Sequence, residues 1–275
     1  MLPVEQESKL VERALGGDQL AFDELIQPFR KPLFSYIYRM VTNPQDAEDL
    51  LQDVIVRVLE GLRRYRGEAR FKTWLFGIAT HACMDHLRAR KRWRLEAQLI
   101  GQREAESDAA SLEQISGIMA QPDFVFEIRE HIAFCFSCVS RTLEPEEQAA
   151  LMLREVLGFS NLEAARMIEV SEPVFRHRLS SARSKLTVGY EGLCQLINKT
   201  GACWQCKGLR EFAPEGHRGQ DLVQIEVARG VSVSPESLFE ARIRIVCDAE
   251  FPHSASRALH DLFSRALSQR EEIQS

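Results

Sequence analysis

"TNPQDAEDLLQDVIVRVLEGL", residues Thr42 to Leu62, is a helix with its start written into it. Asn43 is a residue type whose side-chain oxygen accepts a first-turn amide. Pro44 suits the first helical position, where its missing N–H has no intrahelical partner to lose. Asp46, Glu48 and Asp49 put negative charge at the positive end of the helix dipole. Leu50, Leu51, Val54, Val58 and Leu62 then recur at the three- and four-residue steps of one apolar face.

The same period extends to either side. Upstream, Phe22, Leu25, Ile26, Phe29, Leu33, Tyr36, Ile37 and Met40 form a second stripe, and Pro28 and Pro32 within it predict a kink. Downstream, "RRYRGEARFK" breaks at Gly67, and a third helix is predicted from about Thr73 to Arg92, with Leu75, Ile78 and Ala82 inward. Residues 1–95 therefore read as one helical domain. Residues 96–122 are polar, acidic and weakly periodic, and read as a linker with some helix. A second helical domain spans 123–188. In it Pro145 starts a helix that Gly158 ends, and Ser160 and Glu163 have capping-box spacing. A short helix 161–168, a turn at Glu169–Val170 and a helix 172–186 have helix-turn-helix form, with Phe175, Leu179, Ala182 and Leu186 inward. On pattern alone an ordinary helical hairpin is the alternative. Residues 189–275 form an extension: a loop-rich stretch, a strand-like "LVQIEV" (222–227), and two amphipathic helices near 235–246 and 254–272. The expected fold class is mainly α, two small helical domains joined by a linker, plus a C-terminal α(+β) extension.

With 275 residues, 45% hydrophobic and 27% charged, the chain has the composition of a soluble globular protein. It has no apolar run near the ~18 residues of a membrane span. "MLPVEQESKL" lacks the charged-then-apolar shape of a secretory signal, so a cytoplasmic location is expected. Seven cysteines in that compartment argue for thiols or metal ligands rather than a disulfide framework. The net charge of −5 looks wrong for a nucleic-acid binder, but its distribution does not: residues 61–95 hold ten Lys/Arg against Glu68 and Asp85. No glycine-rich phosphate loop and no spaced Ser/His/Asp set is present, so no catalytic centre is expected.

Two ordered segments carry a resemblance. "DAEDLLQDVIVRVLEGLRRYRGEARFKTWLFGIATHACMDHLRARKR" resembles region 2, and "LEPEEQAALMLREVLGFSNLEAARMIEVSEPVFRHRLSSARSKL" resembles region 4, of bacterial RNA polymerase sigma factors of the extracytoplasmic-function (ECF) type. The resemblance implies a chain that binds core RNA polymerase and directs initiation at promoter DNA. It implies polymerase contacts from Asp49, Gln52 and Asp53. It implies capture of the −10 element by Arg63, Arg64, Tyr65, Arg66, Phe71, Lys72, Trp74 and His81. Cations interleaved with aromatics suit unstacked single strands, although Phe71 and Trp74 also read as core, and the family usually has Asn where this chain has His81. It implies reading of the −35 element by Arg176, His177, Ser180, Ser181 and Arg183. Asp85 and Arg88 read instead as a helix-surface ion pair. An anti-sigma factor is an implied partner, and the sigma function itself requires no cofactor. Glu169 stands where the family usually has a turn glycine. The reading from another class is a metal- or ligand-responsive helix-turn-helix repressor, which leaves the basic-aromatic first block unexplained. A thiol oxidoreductase built on Cys203 and Cys206 lacks a thioredoxin-like strand–helix alternation.

"HIAFCFSC" sets His131, Cys135 and Cys138 on one helical face, beside an inward stripe of Ile132, Phe136 and Val139. Cys135 and Cys138 with Cys203 and Cys206 would make a closed tetrahedral zinc site, His131 or Cys194 standing as substitutes. Small core thiols and a redox pair are the other readings of the same residues.

Overall fold

The computed structural model describes residues 3–97, 99–100, 103, 107–194, 202–203, 205–219, 235–249 and 254–269. Helices α1 (Val4–Leu15), α2 (Gln19–Val41), α3 (Pro44–Gly61) and α4 (Phe71–Arg88) form a first bundle. Asp18 caps α2 by accepting from the Ala21 amide at 3.1 Å, and Asn43 caps α3 by accepting from the Asp46 amide at 3.0 Å. The two prolines leave α2 continuous. Both lie on its exposed face, so the carbonyls they cannot bond, of Glu24 and Pro28, face water. Leu25, Leu33, Tyr36, Val54, Val58, Leu75 and Phe76 are buried between the helices.

The segment read as a linker contains α5 (Ala109–Met119), capped by Asp108 and burying Ile115 and Met119. The second bundle is α6 (Ile128–Ser140), α7 (Pro145–Leu151) with a π turn at Met152–Val156, α8 (Asn161–Met167) and α9 (Glu172–Leu193). The capping box closes as expected: Ser160 Oγ accepts from the Glu163 amide at 3.2 Å, and Glu163 Oε2 from the Ser160 amide at 2.9 Å. α9 buries the predicted Phe175, Leu179, Ala182 and Leu186, then runs a further turn and more to bury Tyr190 and Leu193.

α6 departs from the expected single inward face. Every residue in it except Arg129 is buried. Its walls are α2 and three helices of the extension, α10 (Gln205–Phe212), α11 (Pro235–Asp248) and α12 (Ser254–Gln269). The bundles also meet directly, with α4 packed on α7 and α8. Phe76 and Phe159 rings lie 6.0 Å apart, and buried Gln148 Nε2 donates to the Met40 carbonyl at 2.9 Å. One continuous core results. Among the described residues there is no sheet; an isolated parallel bridge pairs Cys194 with Cys203. "LVQIEV" lies outside the described residues. No helix among them is long and apolar enough to cross a membrane.

The turn between α8 and α9 holds Glu169 at φ 55°, the left-handed region that glycine occupies without a Cβ clash. Glu169→Gly is expected to raise stability by about 1 kcal/mol, read as a higher urea midpoint at unchanged slope.

Candidate functional site

On α3, Asp49 and Gln52 are exposed and Asp53 is half-buried, paired with Arg57 at 2.7 Å. Gln45 Nε2 reaches Asp49 Oδ1 at 3.4 Å. Glu48, on the same helix, pairs with Arg257 of α12 at 3.2 Å. Arg257 also lies over the Phe34 ring at 5.4 Å, so the extension borders this acidic face.

At the α3–α4 junction, Tyr65, Phe71 and Trp74 form a three-ring cluster with centroid separations of 5.1 to 5.7 Å. Phe71 is fully buried and its amide donates to Glu7 Oε1 at 3.1 Å, so its ring serves the core. Tyr65 and Trp74 are half-buried and present an aromatic edge. A Cβ at Gly61 would stand 3.3 Å from the Trp74 ring, so glycine there lets the indole settle against α3. Arg63, Arg64 and Arg66 are exposed beside this edge. Lys72 points the other way, 4.9 Å from the Phe159 ring centroid of the second bundle. His81 is half-buried, with Nδ1 3.0 Å from the Gly77 carbonyl oxygen. Arg88 pairs with Asp85 at 2.8 Å, as expected, and also with Glu146 at 2.7 Å.

On α9, Arg176, His177 and Ser180 are exposed on one side, Arg176 paired with Glu172. Ser181 turns inward, donating to Glu147 Oε1 at 2.7 Å, where Lys185 Nζ also binds. Burial alone would raise the Glu147 pKa; the bonds from Lys185 and Ser181 outweigh it and hold the carboxyl below its ordinary range. Arg183 is held by Glu155 at 3.4 Å and by Glu240 of α11 at 3.2 Å, 6.0 Å from the Phe239 ring centroid. Arg176, Ser180, Arg183, Phe239 and Glu240 line a groove of about 590 Å³ between α9 and α11. Sequence reasoning missed Phe239 and Glu240, because an amphipathic helix does not announce which surface it covers.

The cysteines gather differently from the expected set. Cys135, Cys194, Cys203 and Cys206 lie within electrostatic reach of one another and of Arg242 on α11. Cys138 lies near Cys135 and Arg141. Burial pushes Cys135 up to about 12 and Cys203 up to about 11. His131 faces His260, with Nδ1 3.4 Å from the partner's Nε2, and burial lowers its pKa to about 4, which keeps it neutral. None of the seven cysteines forms a disulfide. Among the described residues no three His, Cys, Asp or Glu side chains stand in metal-site geometry.

Residues 13–93 match Sigma-70 region 2, and residues 134–186 match Sigma-70, region 4. The chain is 30% identical over 218 residues to the ECF RNA polymerase sigma factor SigG of Mycobacterium tuberculosis, an alignment covering 75% of this chain and 55% of that protein. It is 30% identical over 192 residues to the RNA polymerase sigma-H factor of Pseudomonas aeruginosa, covering 68% and 94%. It is 30% identical over 182 residues to the ECF RNA polymerase sigma-E factor of Escherichia coli, covering 64% and 90%. The chain thus spans about half the length of SigG.

Because the folded-state pKa of Glu147 is depressed, its stabilising contribution is complete at neutral pH and is lost as pH falls through that lowered value. Urea midpoints of wild type and Glu147→Gln, followed from pH 7 to pH 3, are expected to differ at neutral pH and to converge on acidification.

Proposed function

The chain belongs to the ECF-type RNA polymerase sigma factors, and on that premise we propose that it binds core polymerase through α3 and directs initiation by contacting the −10 element with the α3–α4 edge and the −35 element with α9. The observation that carries this reading is the ordered pair of region 2 and region 4 matches, each lying on one of the two helical bundles. The exposed carboxylate and amide of Asp49 and Gln52 give α3 a polar docking face. Arg63, Arg64 and Arg66 beside Tyr65 and Trp74 supply phosphate neutralisation and stacking surface for a melted strand. Arg176, His177 and Ser180, exposed on α9, suit base edges and phosphates of a major groove. The proposed −10 set loses Phe71 as a direct contact, since its ring is enclosed. Ser181 leaves the −35 set for the same kind of reason: its hydroxyl is committed to Glu147.

The repressor reading predicts operator binding by the free protein and no need for polymerase. Run-off transcription with core polymerase on a genomic promoter library separates the two. Promoter-specific transcripts that require this protein support the sigma reading; operator binding without co-purification of core polymerase overturns it. Asp49→Lys and Asp53→Lys are expected to weaken core binding while leaving the circular-dichroism melt unchanged. Arg176→Ala is expected to cost about 1–3 kcal/mol at one promoter position if the arginine reads a base, or to flatten the salt dependence by about one unit if it holds a phosphate. The two outcomes are told apart by repeating the titration on mutated promoters.

A further inference from the structure

Arg242 is a buried cation in an unusual setting. It is 5% exposed, and the Tyr190 ring lies 4.0 Å from its guanidinium carbon. Its Nη2 donates to Cys194 Sγ at 2.9 Å, and Nε has no acceptor. Among the described residues it makes no ion pair with a carboxylate. Nη2 thus has a sulfur as its acceptor, and losing that acceptor would leave a buried donor unsatisfied.

Cys194 has a second thiol beside it. The parallel bridge pairs it with Cys203, whose amide donates to the Leu193 carbonyl at 2.8 Å. Bridged strands lie about 4.7–4.9 Å apart, inside the roughly 4.4–6.8 Å window of Cα separations that a disulfide spans. Cys194 is 6% exposed and Cys203 is half-buried, which leaves the pair within reach of a molecule as small as a peroxide.

Arg242 sits within one helical turn of the residues that cover α9. Phe239 packs beneath Arg183, and Glu240 bonds it at 3.2 Å. The far end of α11 is pinned to the second bundle, Cys247 Sγ donating to the Glu155 carbonyl at 3.1 Å. The contact between Arg242 and Cys194 therefore ties the helix that occupies a −35 candidate residue to the C-terminal end of α9.

We propose that Cys194 and Cys203 form a peroxide-oxidisable couple whose oxidation releases α11 from α9 and frees Arg183. Its DNA consequence rests on the sigma reading above; its thiol chemistry does not. The Cys194 sulfur attacks one oxygen of hydrogen peroxide, the O–O bond breaks, and the departing hydroxide leaves as water with the thiol proton. The sulfenic acid formed is attacked by the Cys203 sulfur; the S–O bond breaks, the disulfide forms, and a second water leaves. Two thiols are oxidised and one peroxide is reduced to two waters. In the disulfide Cys194 Sγ is drawn to Cys203, Arg242 Nη2 loses its acceptor, and the tie between α11 and the end of α9 is broken.

The test starts from reduced, full-length protein treated with stoichiometric hydrogen peroxide. Three measurements are made: disulfide mapping by mass spectrometry, hydrogen exchange over Pro235–Asp248, and binding to a short mixed-sequence DNA duplex at low salt. The expected result is a Cys194–Cys203 linkage, faster exchange in α11 and about tenfold tighter duplex binding, all reversed by dithiothreitol. Cys194→Ser should abolish all three responses, and Cys83→Ser, remote from the cluster, none. Phe239→Ala should bind duplex tightly in both redox states, which guards against a serine variant that merely misfolds. No Cys194–Cys203 linkage, or stoichiometric zinc held by these thiols in the purified protein, overturns the couple. Linkage with unchanged exchange in α11 overturns its coupling to that helix. Opening of α11 with unchanged duplex binding counts against the DNA role of Arg183, and leaves the thiol couple standing.

Discussion

A mostly apolar helix buried on every side has no stable place at a surface, and the rest of this structure is arranged around one. α6 has a single exposed residue, Arg129, so walls are required all round it. The first bundle supplies α2, and the extension supplies α10, α11 and α12. Each large apolar side chain enclosed there contributes roughly 1.5–3 kcal/mol. Several polar groups in α6 find partners at close range. Ser137 and Ser140 return their hydroxyls to the Ala133 and Phe136 carbonyls, and His131 meets His260. Enclosing α6 obliges the two bundles and the extension to converge, which places α11 beside α9 and α12 beside α3.

The same convergence consumes charge. The basic run between residues 61 and 95 looks available to phosphate when read along the chain, yet much of it is paired within the fold. Arg88, Arg90 and Arg92 turn to Glu146, Asp46 and Glu144, and Arg70 to Glu7. What remains open is the short stretch beside Tyr65 and Trp74, where Arg63 and Arg64 make no ion pair among the described residues. The electropositive surface is thus narrower than the composition implies, and it coincides with the aromatic edge.

Local chemistry was legible in the sequence because its causes lie within a few residues. Asn43 capping Asp46, Pro44 opening α3, the Ser160–Glu163 box and the inner stripe of α9 all stand as their spacing requires. The strained turn at Glu169 was signalled by a missing glycine. What escaped depends on contacts distant in the chain. A one-sided stripe and an all-round one look alike when cysteine, serine and alanine fill the other faces, so the sequence shows the inward stripe of Ile132, Phe136 and Val139 but not that the remaining faces are walled too. Ser181 looked open until Glu147, far back in the sequence, was placed against it. Spacing matches Cys135 and Cys138 with Cys203 and Cys206 and offers Cys194 only as a substitute; what it cannot show is the bridge that sets Cys194 beside Cys203.

The enclosure of α6 also bears on how the protein is made. Synthesis proceeds from the N-terminus, so α2 is waiting when α6 emerges, but α10, α11 and α12 have not yet been translated. At about 5–20 residues per second, the rest of the chain takes on the order of ten seconds to appear. For that interval the nascent polypeptide carries a helix whose phenylalanines, isoleucines and valine have a wall on one side only. That is the kind of surface that holdase chaperones bind and that neighbouring nascent chains stick to. A ribosome stalled within the last seventy residues would release a polypeptide with two nearly finished bundles and an unroofed apolar rod between them.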